Sequence, residues 1–263
     1  IDETFVVASG DVLADVDIKA LYKYHKKKGA IATIALTEVE DPSEFGIVVL
    51  DEDSKIVRFK EKPTKDEVFS NLINAGIYIL EPKVLEFIPE NKIFDFSKNV
   101  FPKLLSEGLP LFGKKLDGVW MDIGRPQDLL EASIEIVNRE GKEQKLEGVV
   151  TKGNIMMGKN VIIESGVIIQ GPCYIGDDAY ISKGSLLENS CVYNNVRVDR
   201  DVVIQNSILL EGTKVGWQSE VRDSVISKNC NIEQDCKIMN SIIGDDMTIK
   251  IHSRLVDANV TPP

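Results

Sequence analysis

The chain has 263 residues, of which 43% are hydrophobic and 28% charged, so it can bury sizeable cores without disulfides. Its formal net charge is -11, and its Lys and Arg residues are spread along the sequence. This excludes the clustered basic surface of proteins that bind duplex nucleic acid or anionic membranes. Neither a secretory leader nor an apolar run near the roughly 18 residues of a membrane span is seen. We therefore expect a cytoplasmic protein with no membrane or nucleic-acid partner.

The chain contains four cysteines, none in a Cys-x-x-Cys pair and none with a histidine at zinc-binding spacing. They are Cys173, Cys191, Cys230 and Cys236. We expect them to be reduced residues packed in the protein interior.

The first part of the chain, residues 1–144, alternates strands with helices, which is typical of an α/β domain with a mostly parallel sheet. Residues 4–8 have the β-branched and aromatic composition of a strand. Residues 13–30 have the periodicity of an amphipathic helix closed by Gly29. Residues 30–39 form a nearly continuous apolar run, as expected of a buried strand.

The same part continues with two strands in residues 46–59, joined by a polar turn at residues 51–54, and another strand in residues 73–80. A helix with Pro126 near its first turn follows. The charged stretch at residues 138–145 is interpreted as a linker to the second part.

The second part carries an internal repeat in which Asn-Ser or Asp-Ser precedes two apolar residues. These dipeptides begin at Asn189, Asn206, Asp223 and Asn240, each 17 residues after the previous one. A fixed short period of this kind is typical of a solenoid of stacked coils. A β-sandwich is the alternative, but it would not keep this phase over many units.

Within each period an aliphatic residue recurs every six residues, with one interval of five. We expect these residues to point inward from the three sides of a triangular coil: Met157, Ile163, Ile169, Ile175, Ile181, Leu187, Val192, Val198, Ile204, Leu210, Val215, Val221, Ile226, Ile232, Ile238, Ile243 and Ile249. Four residues after most of them stands a small or apolar residue that we also expect to point inward: Val161, Val167, Cys173, Ala179, Ser185, Cys191, Val202, Ile208, Ser219, Val225, Cys230 and Cys236. Lys214 breaks this second pattern.

The hexad rhythm resembles the left-handed parallel β-helix of hexapeptide-repeat proteins over residues 155–251. The predicted β-helix domain spans residues 149–251, and residues 252–263 are predicted to be a tail. The left-handed sense is implied by the resemblance alone, since ordinary parallel crossovers are right-handed. Because a β-helix offers flat faces and an exposed end coil, we expect a homo-oligomer assembled through it.

Four stretches of the first part place acids, a lysine or an amide where strands end, which is where α/β sheets bind ligands. Each also has a purely structural interpretation. Asp11 follows the first strand and could cap a helix. The stretch FKEKP from Phe59 could be a solvated strand end, and NAG from Asn74 could mark a β-bulge. Asp122, four residues before Pro126, could belong to a capped helix entry.

Taken in order, these stretches resemble the sugar-1-phosphate nucleotidyltransferases, also called NDP-sugar pyrophosphorylases. The resemblance rests on SGD at residues 9–11, EFG at 44–46, FKEKP at 59–63, NAG at 74–76 and WMDIGRPQD at 120–128. The resemblance spans almost the whole chain, because such proteins commonly carry a β-helix tail. The residues and spacing of these stretches are most similar to those of the mannose-1-phosphate guanylyltransferases. The resemblance implies a partial Rossmann-like nucleotidyltransferase α/β domain followed by a left-handed β-helix.

The resemblance also implies a reaction. A phosphate oxygen of a sugar 1-phosphate attacks the α-phosphorus of a nucleoside triphosphate and displaces pyrophosphate. Catalysis of this kind rests on positioning and charge neutralisation. Asp11 and Asp122 would hold Mg²⁺, which takes hard oxygen ligands and few protein carboxylates. Lys62 would hold the sugar phosphate as a compact point charge.

The remaining residues implied by the resemblance bind the sugar. Glu61 would accept hydrogen bonds from sugar hydroxyls, and Asn74 would bind another hydroxyl. The backbone N–H of Gly46 would approach the sugar ring, because no side chain blocks it there. No residue is expected to act as a general base, since a phosphate oxygen is already ionised at neutral pH.

The Gly-rich loop with which this family grips the triphosphate, and the base-recognition residues after it, are not found in the 263 residues. We therefore expect the chain to be part of a longer polypeptide and to lack nucleotidyltransferase activity by itself. The base and the sugar stay open, with thymidylyl or uridylyl transfer to glucose 1-phosphate as the alternative. A non-catalytic regulatory or assembly subunit is a further alternative.

Hexapeptide β-helices also occur in acyltransferases, which generally use a histidine on a coil as the base. The two histidines of this chain are His25 and His252, so none falls between Met157 and Ile249. Acetyl transfer is therefore disfavoured.

Overall fold

The computed structural model describes residues 1–262, and their contacts divide the chain into two compact units, Ile1–Asp122 and Ile123 onward. Within the described residues, no helix has the length and apolar character needed to cross a membrane. All four cysteines are buried free thiols, as the sequence predicts. Burial raises the pKa of the Cys191 thiol to about 12, so it stays protonated.

The first unit consists of eight strands, two α-helices and three short helical turns. The strands are β1 (Phe5–Ala8), β2 (Val12–Ala14), β3 (Ala32–Glu38), β4 (Gly46–Leu50), β5 (Ile56–Glu61), β6 (Leu72–Leu80), β7 (Leu111–Lys115) and β8 (Trp120–Asp122). The α-helices are α1 (Ile18–Lys28) and α2 (Phe101–Ser106). The turns are the 3-10 helices Lys65–Glu67 and Pro82–Phe87 and the π-helical turn Phe96–Val100.

Helix α1 begins and ends at residues whose chemistry favours these positions. The Asp17 carboxylate accepts a hydrogen bond from the backbone N–H of Ala20 at 2.9 Å, which caps the first turn. Gly29 ends the helix at φ 60°, a left-handed conformation that glycine adopts without steric cost. The predicted end of this helix at Gly29 is confirmed.

The main sheet is mixed and largely antiparallel, so the expectation of a mostly parallel sheet is wrong. Its order is β5-β4-β6-β3-β7, with β1 paired to β6, and only β3 and β7 run parallel. Parallel neighbours need a crossover connection of about a dozen residues, usually through a helix. No α-helix lies between β3 and β6, and the Asp51 carboxylate closes a tight β4–β5 hairpin by accepting from the N–H groups of Asp53 and Lys55.

Both faces of this sheet are covered by apolar side chains. On one face Phe101 of α2 packs edge-on against Tyr78, with ring centroids 5.0 Å apart, within a core that also contains Ile34 and Leu80. On the other face Leu21 of α1 packs with residues of β3 and β6. The sheet is therefore a rigid support for the loops at its edge.

The second unit contains helix α3 (Pro126–Glu140) and a parallel β-helix with three faces. The first face consists of Ile155–Met157, Cys173–Ile175, Cys191–Val192, Ile208–Leu209, Val225–Ile226, Ile242–Ile243 and Asn259–Val260. The second consists of Ile162–Ile163, Tyr180–Ile181, Arg197–Val198, Lys214–Val215, Asn231–Ile232 and Thr248–Ile249. The third consists of Val150–Lys152, Ile168–Gln170, Leu186–Glu188, Val203–Gln205, Glu220–Arg222, Lys237–Met239 and Arg254–Val256.

The Asn-Ser repeat forms one corner of each coil. Asn189 and Asn206 have φ of 44° and 47°, a left-handed conformation that Asn tolerates, and the Asn189 amide donates to Asn206 Oδ1 at 2.9 Å. The following serine is buried, and its hydroxyl accepts the backbone N–H of the serine one coil further on, as Ser190 does from Ser207 at 3.1 Å. The repeat therefore stabilises the stacking of one coil on the next.

The structure corrects one residue of the predicted inward series. Leu209, not Leu210, lies in the core of the β-helix, while Leu210 packs in a separate cluster with helix α3. With Leu209 inside, the residue four positions later is Thr213, which is fully buried. The apparent exception at Lys214 is thereby removed, since Lys214 faces outward on the second face.

Helix α3 covers part of the first face, which changes the interpretation of three more residues. Cys191, Ile208 and Val225 are buried, but they pack with Leu129, Leu130 and Ile134 of α3 rather than inside the coils, as was expected. The inward positions beside them belong to the buried serines Ser190, Ser207 and Ser224. A pattern of apolar residues indicates burial, but it does not tell on which side of a strand the burial occurs.

Helix α3, predicted as part of the first domain, packs on the first face of the β-helix and belongs by its contacts to the second unit. Strands Arg254–Val256 and Asn259–Val260 continue the coils beyond Ile251, into the segment expected to be a tail.

The serine ladder predicts a stability effect. In Ser224→Ala the buried N–H of Ser241 loses its acceptor at 3.0 Å, so we expect the β-helix to lose about 1–3 kcal/mol of unfolding free energy. Denaturant unfolding followed by Trp217 fluorescence in a Trp120→Phe background measures this. Ser227→Ala is the control, because that hydroxyl bonds to no other residue in the described part of the chain. Equal losses in the two variants would contradict the ladder.

His25 predicts a pH effect on the first unit. Its ring is fully buried, with Nδ1 2.9 Å from Thr33 Oγ1 and Nε2 3.1 Å from Glu81 Oε1, and burial lowers its pKa despite the opposing effect of Glu81. The unfolded chain then binds the proton first. The unfolding free energy should therefore fall as pH drops below about 6.5, the ordinary histidine value.

We expect His25→Gln to flatten this dependence between about pH 5 and 7. Trp120 fluorescence in a Trp217→Phe background reports the first unit, and His252→Gln, at the exposed second histidine, should leave the dependence unchanged. A wild-type slope that persists in His25→Gln would contradict the assignment.

Candidate functional site

A cavity of about 310 Å³ at the edge of the first-unit sheet brings together all six site residues predicted from the sequence. They are Asp11, Gly46, Glu61, Lys62, Asn74 and Asp122. The cavity also contains side chains that were not singled out, namely those of Ser9, Glu44, Phe45, Tyr78, Ser97 and Trp120. Its lining is mostly polar and carries both signs of charge.

The β4–β5 hairpin positions Glu61 and Lys62. Gly46 and Glu61 are register partners at the open end of the hairpin, and Lys62 donates its backbone N–H to Phe45 O at 3.0 Å. Lys62 has φ 42°, an uncommon left-handed conformation for a residue with a long side chain. Strain of this kind clusters at ligand sites, where the surrounding structure maintains it.

Asn74 lies at an irregular point of β6, where the register with β3 shifts between Ile34 and Leu36. Its amide nitrogen donates to Tyr78 Oη at 3.0 Å and to Ser97 Oγ at 2.9 Å, and its carbonyl oxygen accepts the N–H of Gly76 at 2.9 Å. Both donors of the amide are thus used inside the protein. Asn74 positions its neighbours, and only its carbonyl oxygen can take a further hydrogen bond.

Glu61 carries the one buried side-chain polar atom without a hydrogen-bond partner in the described part of the chain. This atom, Oε2, lies 2.6 Å from where a Cβ would stand at Gly46, so only glycine leaves room for the carboxylate. Burial, and secondly the nearby Asp95, raise the pKa of Glu61. This buried acceptor has no partner among the described residues, and the Glu61 side chain that carries it lines the cavity.

Asp11 and Asp122 also line the cavity. Strands β2 and β8 pair antiparallel with Val12 opposite Asp122, and Asp11 directly precedes β2. The Asp11 carboxylate makes no hydrogen bond or ion pair with any other residue that the structure describes. Two hard carboxylate donors facing a polar cavity fit Mg²⁺, which takes one or two protein carboxylates and fills its other positions with water or phosphate.

Residues 1–262 contain no cluster of three or more His, Cys, Asp or Glu side chains that could hold a metal ion. A two-carboxylate site is smaller than such a cluster. The magnesium site therefore stays a prediction that the donor chemistry supports.

Lys62 stands at the rim and is the only Lys or Arg among the residues that line this cavity in the described chain. Its ammonium group lies 3.2 Å from Glu44 Oε2, and both side chains are more than half exposed. Such surface pairs contribute little, so an anion of higher charge density can replace Glu44 as the partner of Lys62.

Four of the side chains that were not singled out belong to quoted stretches: Ser9 in SGD, Glu44 and Phe45 in EFG, and Trp120 in WMDIGRPQD. Tyr78 lies two residues after NAG, and burial raises the pKa of its phenol. Trp120 begins the WMDIGRPQD stretch, donates its indole N–H to Ala75 O at 2.9 Å and packs edge-on against Phe45. Ser97 carries no sequence signal, because it reaches the cavity only through the fold of the Phe96–Val100 turn.

Comparison with protein families identifies both units. A family described as nucleotidyl transferase matches residues 1–139, and one described as GMPPB C-terminal domain matches residues 169–263. The two matches cover the candidate cavity and most of the β-helix.

Individual relatives cover most of this chain. The UTP–glucose-1-phosphate uridylyltransferase of Synechocystis is 36% identical over 234 residues, 86% of this chain and 59% of its own length. The probable mannose-1-phosphate guanylyltransferase 1 of Oryza sativa is 35% identical over 224 residues, 83% and 59% of the two chains. The mannose-1-phosphate guanyltransferase of Debaryomyces hansenii is 35% identical over 267 residues, 99% and 68%. The chain thus spans 59% of the length of the first two relatives.

The environment of Glu61 predicts its titration. Because burial is the main cause of the raised pKa, we expect the Glu61 carboxyl to titrate above the ordinary value of about 4.3. Asp95→Asn, which keeps the oxygen that accepts the Lys98 N–H, should lower the pKa only in part. Carbon-13 NMR of the carboxyl group against pH measures both, with Asp66→Asn as the control. A wild-type pKa at the ordinary value would show a solvated carboxylate and contradict the geometry.

Proposed function

The chain belongs to the nucleotidyl transferase family, and we propose that its first unit binds a sugar 1-phosphate as the acceptor in nucleotidyl transfer. In that reaction the sugar phosphate attacks the α-phosphorus of a nucleoside triphosphate, giving an NDP-sugar and pyrophosphate. One observation carries the proposal. Glu61, whose buried Oε2 has no hydrogen-bond partner in the described chain, lines the same cavity as Lys62.

The residues that line the cavity match the two parts of such a substrate, the hydroxylated sugar ring and the phosphate group. The Glu61 carboxylate and the Asn74 carbonyl oxygen accept hydrogen bonds from sugar hydroxyls, and the bare backbone at Gly46 lets the ring approach. Lys62 holds the phosphate and offsets its repulsion from an incoming triphosphate. Binding and positioning supply the catalytic effect, since an ionised phosphate oxygen needs no general base.

Mg²⁺ held by Asp11 and Asp122 is part of the proposal. When bound, it would neutralise phosphate charge during the transfer. A cytoplasmic location and assembly through the β-helix likewise stay predictions of the sequence.

The proposed sugar is mannose 1-phosphate and the proposed transfer is of a guanylyl group. The match of residues 169–263 to the GMPPB C-terminal domain family and the names of the rice and yeast relatives favour this choice. The name of the Synechocystis relative, at 36% identity, favours uridylyl transfer to glucose 1-phosphate as the second candidate.

We also infer that these 263 residues do not complete the transfer by themselves. A triphosphate needs several cationic or N–H donors, whereas Lys62 is the only Lys or Arg lining the described cavity. A pyrophosphate-release assay with GTP, mannose 1-phosphate and Mg²⁺ checks this, and release by the 263-residue chain would contradict it.

Calorimetric titration of the 263-residue chain with mannose 1-phosphate, and separately with glucose 1-phosphate, tests the proposal. We expect Lys62→Met to weaken binding at least about tenfold, because it removes the charge that faces the phosphate. Lys60→Met is the matched control. Lys60 lies two residues earlier, within β5, but pairs with Glu67 at 2.8 Å and does not line the cavity.

Equal effects of the two substitutions, or no binding of either sugar phosphate, would overturn the proposal. Tighter binding of glucose 1-phosphate than of mannose 1-phosphate would favour the second candidate.

A further inference from the structure

The second face of the β-helix carries an open groove of about 650 Å³ that the proposed function does not use. Arg197, Lys214, Trp217, Asp199 and Glu233 are among its lining residues, and all belong to the second unit. The groove is twice as large as the cavity of the first unit, whose volume is about 310 Å³.

Several charges elsewhere on the β-helix are matched between consecutive coils. Positions 17 residues apart are neighbours across parallel strands, so the repeat places their side chains next to each other. Three such pairs join opposite charges, namely Glu211 with Lys228, Glu220 with Lys237 and Glu233 with Lys250, at N–O distances of 3.1, 2.8 and 3.2 Å. Opposite charges are therefore paired at some of these positions, whereas Lys183 and Arg200, also 17 residues apart, carry like charges.

Arg197 and Lys214 carry like charges as well. They are register partners on adjacent strands, both are exposed, and neither side chain has an ion pair or hydrogen bond with another described residue. Like charges side by side destabilise a sheet. An open groove that places two exposed cations side by side, with no ion-pair partner among the described residues, is suited to binding an anion.

The other walls of the groove indicate what that anion is attached to. Gly216 lines the groove without a side chain, and a Cβ there would meet the backbone of the next coil at 2.8 Å. The carboxylates of Asp199 and Glu233 occupy the same position one coil before and after it. These carboxylates would repel a free anion that spread along the groove, but they accept hydrogen bonds from hydroxyl groups.

Trp217 provides a flat surface beside these acceptors. Its indole N–H donates to Asp201 Oδ2 at 3.2 Å, and the Arg200 guanidinium lies 5.4 Å from the ring centroid, so its orientation is held from two sides. An aromatic face packs against the apolar face of a sugar ring or stacks on a base. Cations, hydroxyl acceptors and an aromatic face thus lie together in one groove.

We propose that this groove is a second ligand site, which binds a phosphate group attached to a polyhydroxylated ring. The phosphate lies against Arg197 and Lys214, and the ring hydroxyls bond to Asp199 and Glu233 beside Trp217. Both a sugar phosphate and a nucleotide have this chemistry. The site is independent of the first-unit cavity, because it shares no residue with it.

The test uses the two tryptophans of the chain, one near each site. In Trp120→Phe protein the only tryptophan is Trp217, and its emission is followed while mannose 1-phosphate, guanosine monophosphate or inorganic phosphate is added. We expect a saturable change with at least one of the two ring-bearing ligands. Whichever binds more tightly identifies the source of the phosphate, and inorganic phosphate should bind at least about tenfold more weakly than that ligand.

Substitutions in the same background locate the response. Arg197→Gln with Lys214→Gln should weaken binding at least about tenfold, whereas Lys159→Gln with Lys228→Gln removes the same charge elsewhere on the β-helix and should not. Because the first double substitution relieves a like-charge contact, it should not lower the unfolding free energy of the β-helix. Lys62→Met should leave the Trp217 response unchanged.

Four results would overturn the proposal. These are no Trp217 response to any of the three ligands, equal affinity for inorganic phosphate, a response that survives loss of Arg197 and Lys214, or a response that Lys62→Met abolishes. The last result would place the ligand in the first-unit cavity. Failure of the sugar-phosphate function is measured separately, by comparing Lys62→Met with Lys60→Met.

Discussion

The side-chain amide of Asn74 is the contact on which the geometry of the first-unit site depends. Asn74 is buried in β6, the longest strand of the sheet. Its amide nitrogen donates to Tyr78 and Ser97, and its carbonyl oxygen accepts the N–H of Gly76. This holds the irregular turn of β6 at which Gly76 adopts φ 75°. A Cβ there would lie 2.9 Å from Ser9 Oγ, so the absence of a side chain lets the loop before Asp11 approach β6. The Asn74 amide is thus connected, through Gly76 and Ser9, to the loop that carries Asp11.

The two charged residues Glu61 and Lys62 differ in their exposure to solvent. The Glu61 carboxylate has a buried oxygen without a partner in the described chain, whereas Lys62 is more than half exposed and pairs only with the exposed Glu44. The buried Glu61 carboxylate favours a ligand with neutral hydrogen-bond donors. Burial makes an unpaired charge costly, and one of its oxygens has no hydrogen-bond partner among the described residues. The exposed lysine favours a solvated anion. A molecule that is neutral and hydroxylated at one end and phosphorylated at the other satisfies both.

The β-helix depends on a different constraint, because polar groups of each coil find their hydrogen-bond partners on the next coil. Buried serines and left-handed Asn or Asp corners pass hydrogen bonds from coil to coil, and matched charges do so on the outer faces. Such a structure makes local exceptions conspicuous. One exception is the apolar strip on the first face, which helix α3 explains by covering it. Another is the pair of neighbouring cations on the second face, Arg197 and Lys214, which have no ion-pair partner among the described residues.

The sequence by itself determined the period of the β-helix and the inward position of most of its aliphatic residues, because these follow from the spacing of residues along the repeat. Its resemblance to a family implied six residues that line the candidate cavity. Only the tertiary structure decided the direction of the sheet strands, the choice of Leu209 over Leu210 and the burial of Ile208 beneath a helix. It also brought Ser97 to Asn74. Apolar character predicts that a residue is buried, but which surface buries it depends on the packing of elements distant in the sequence.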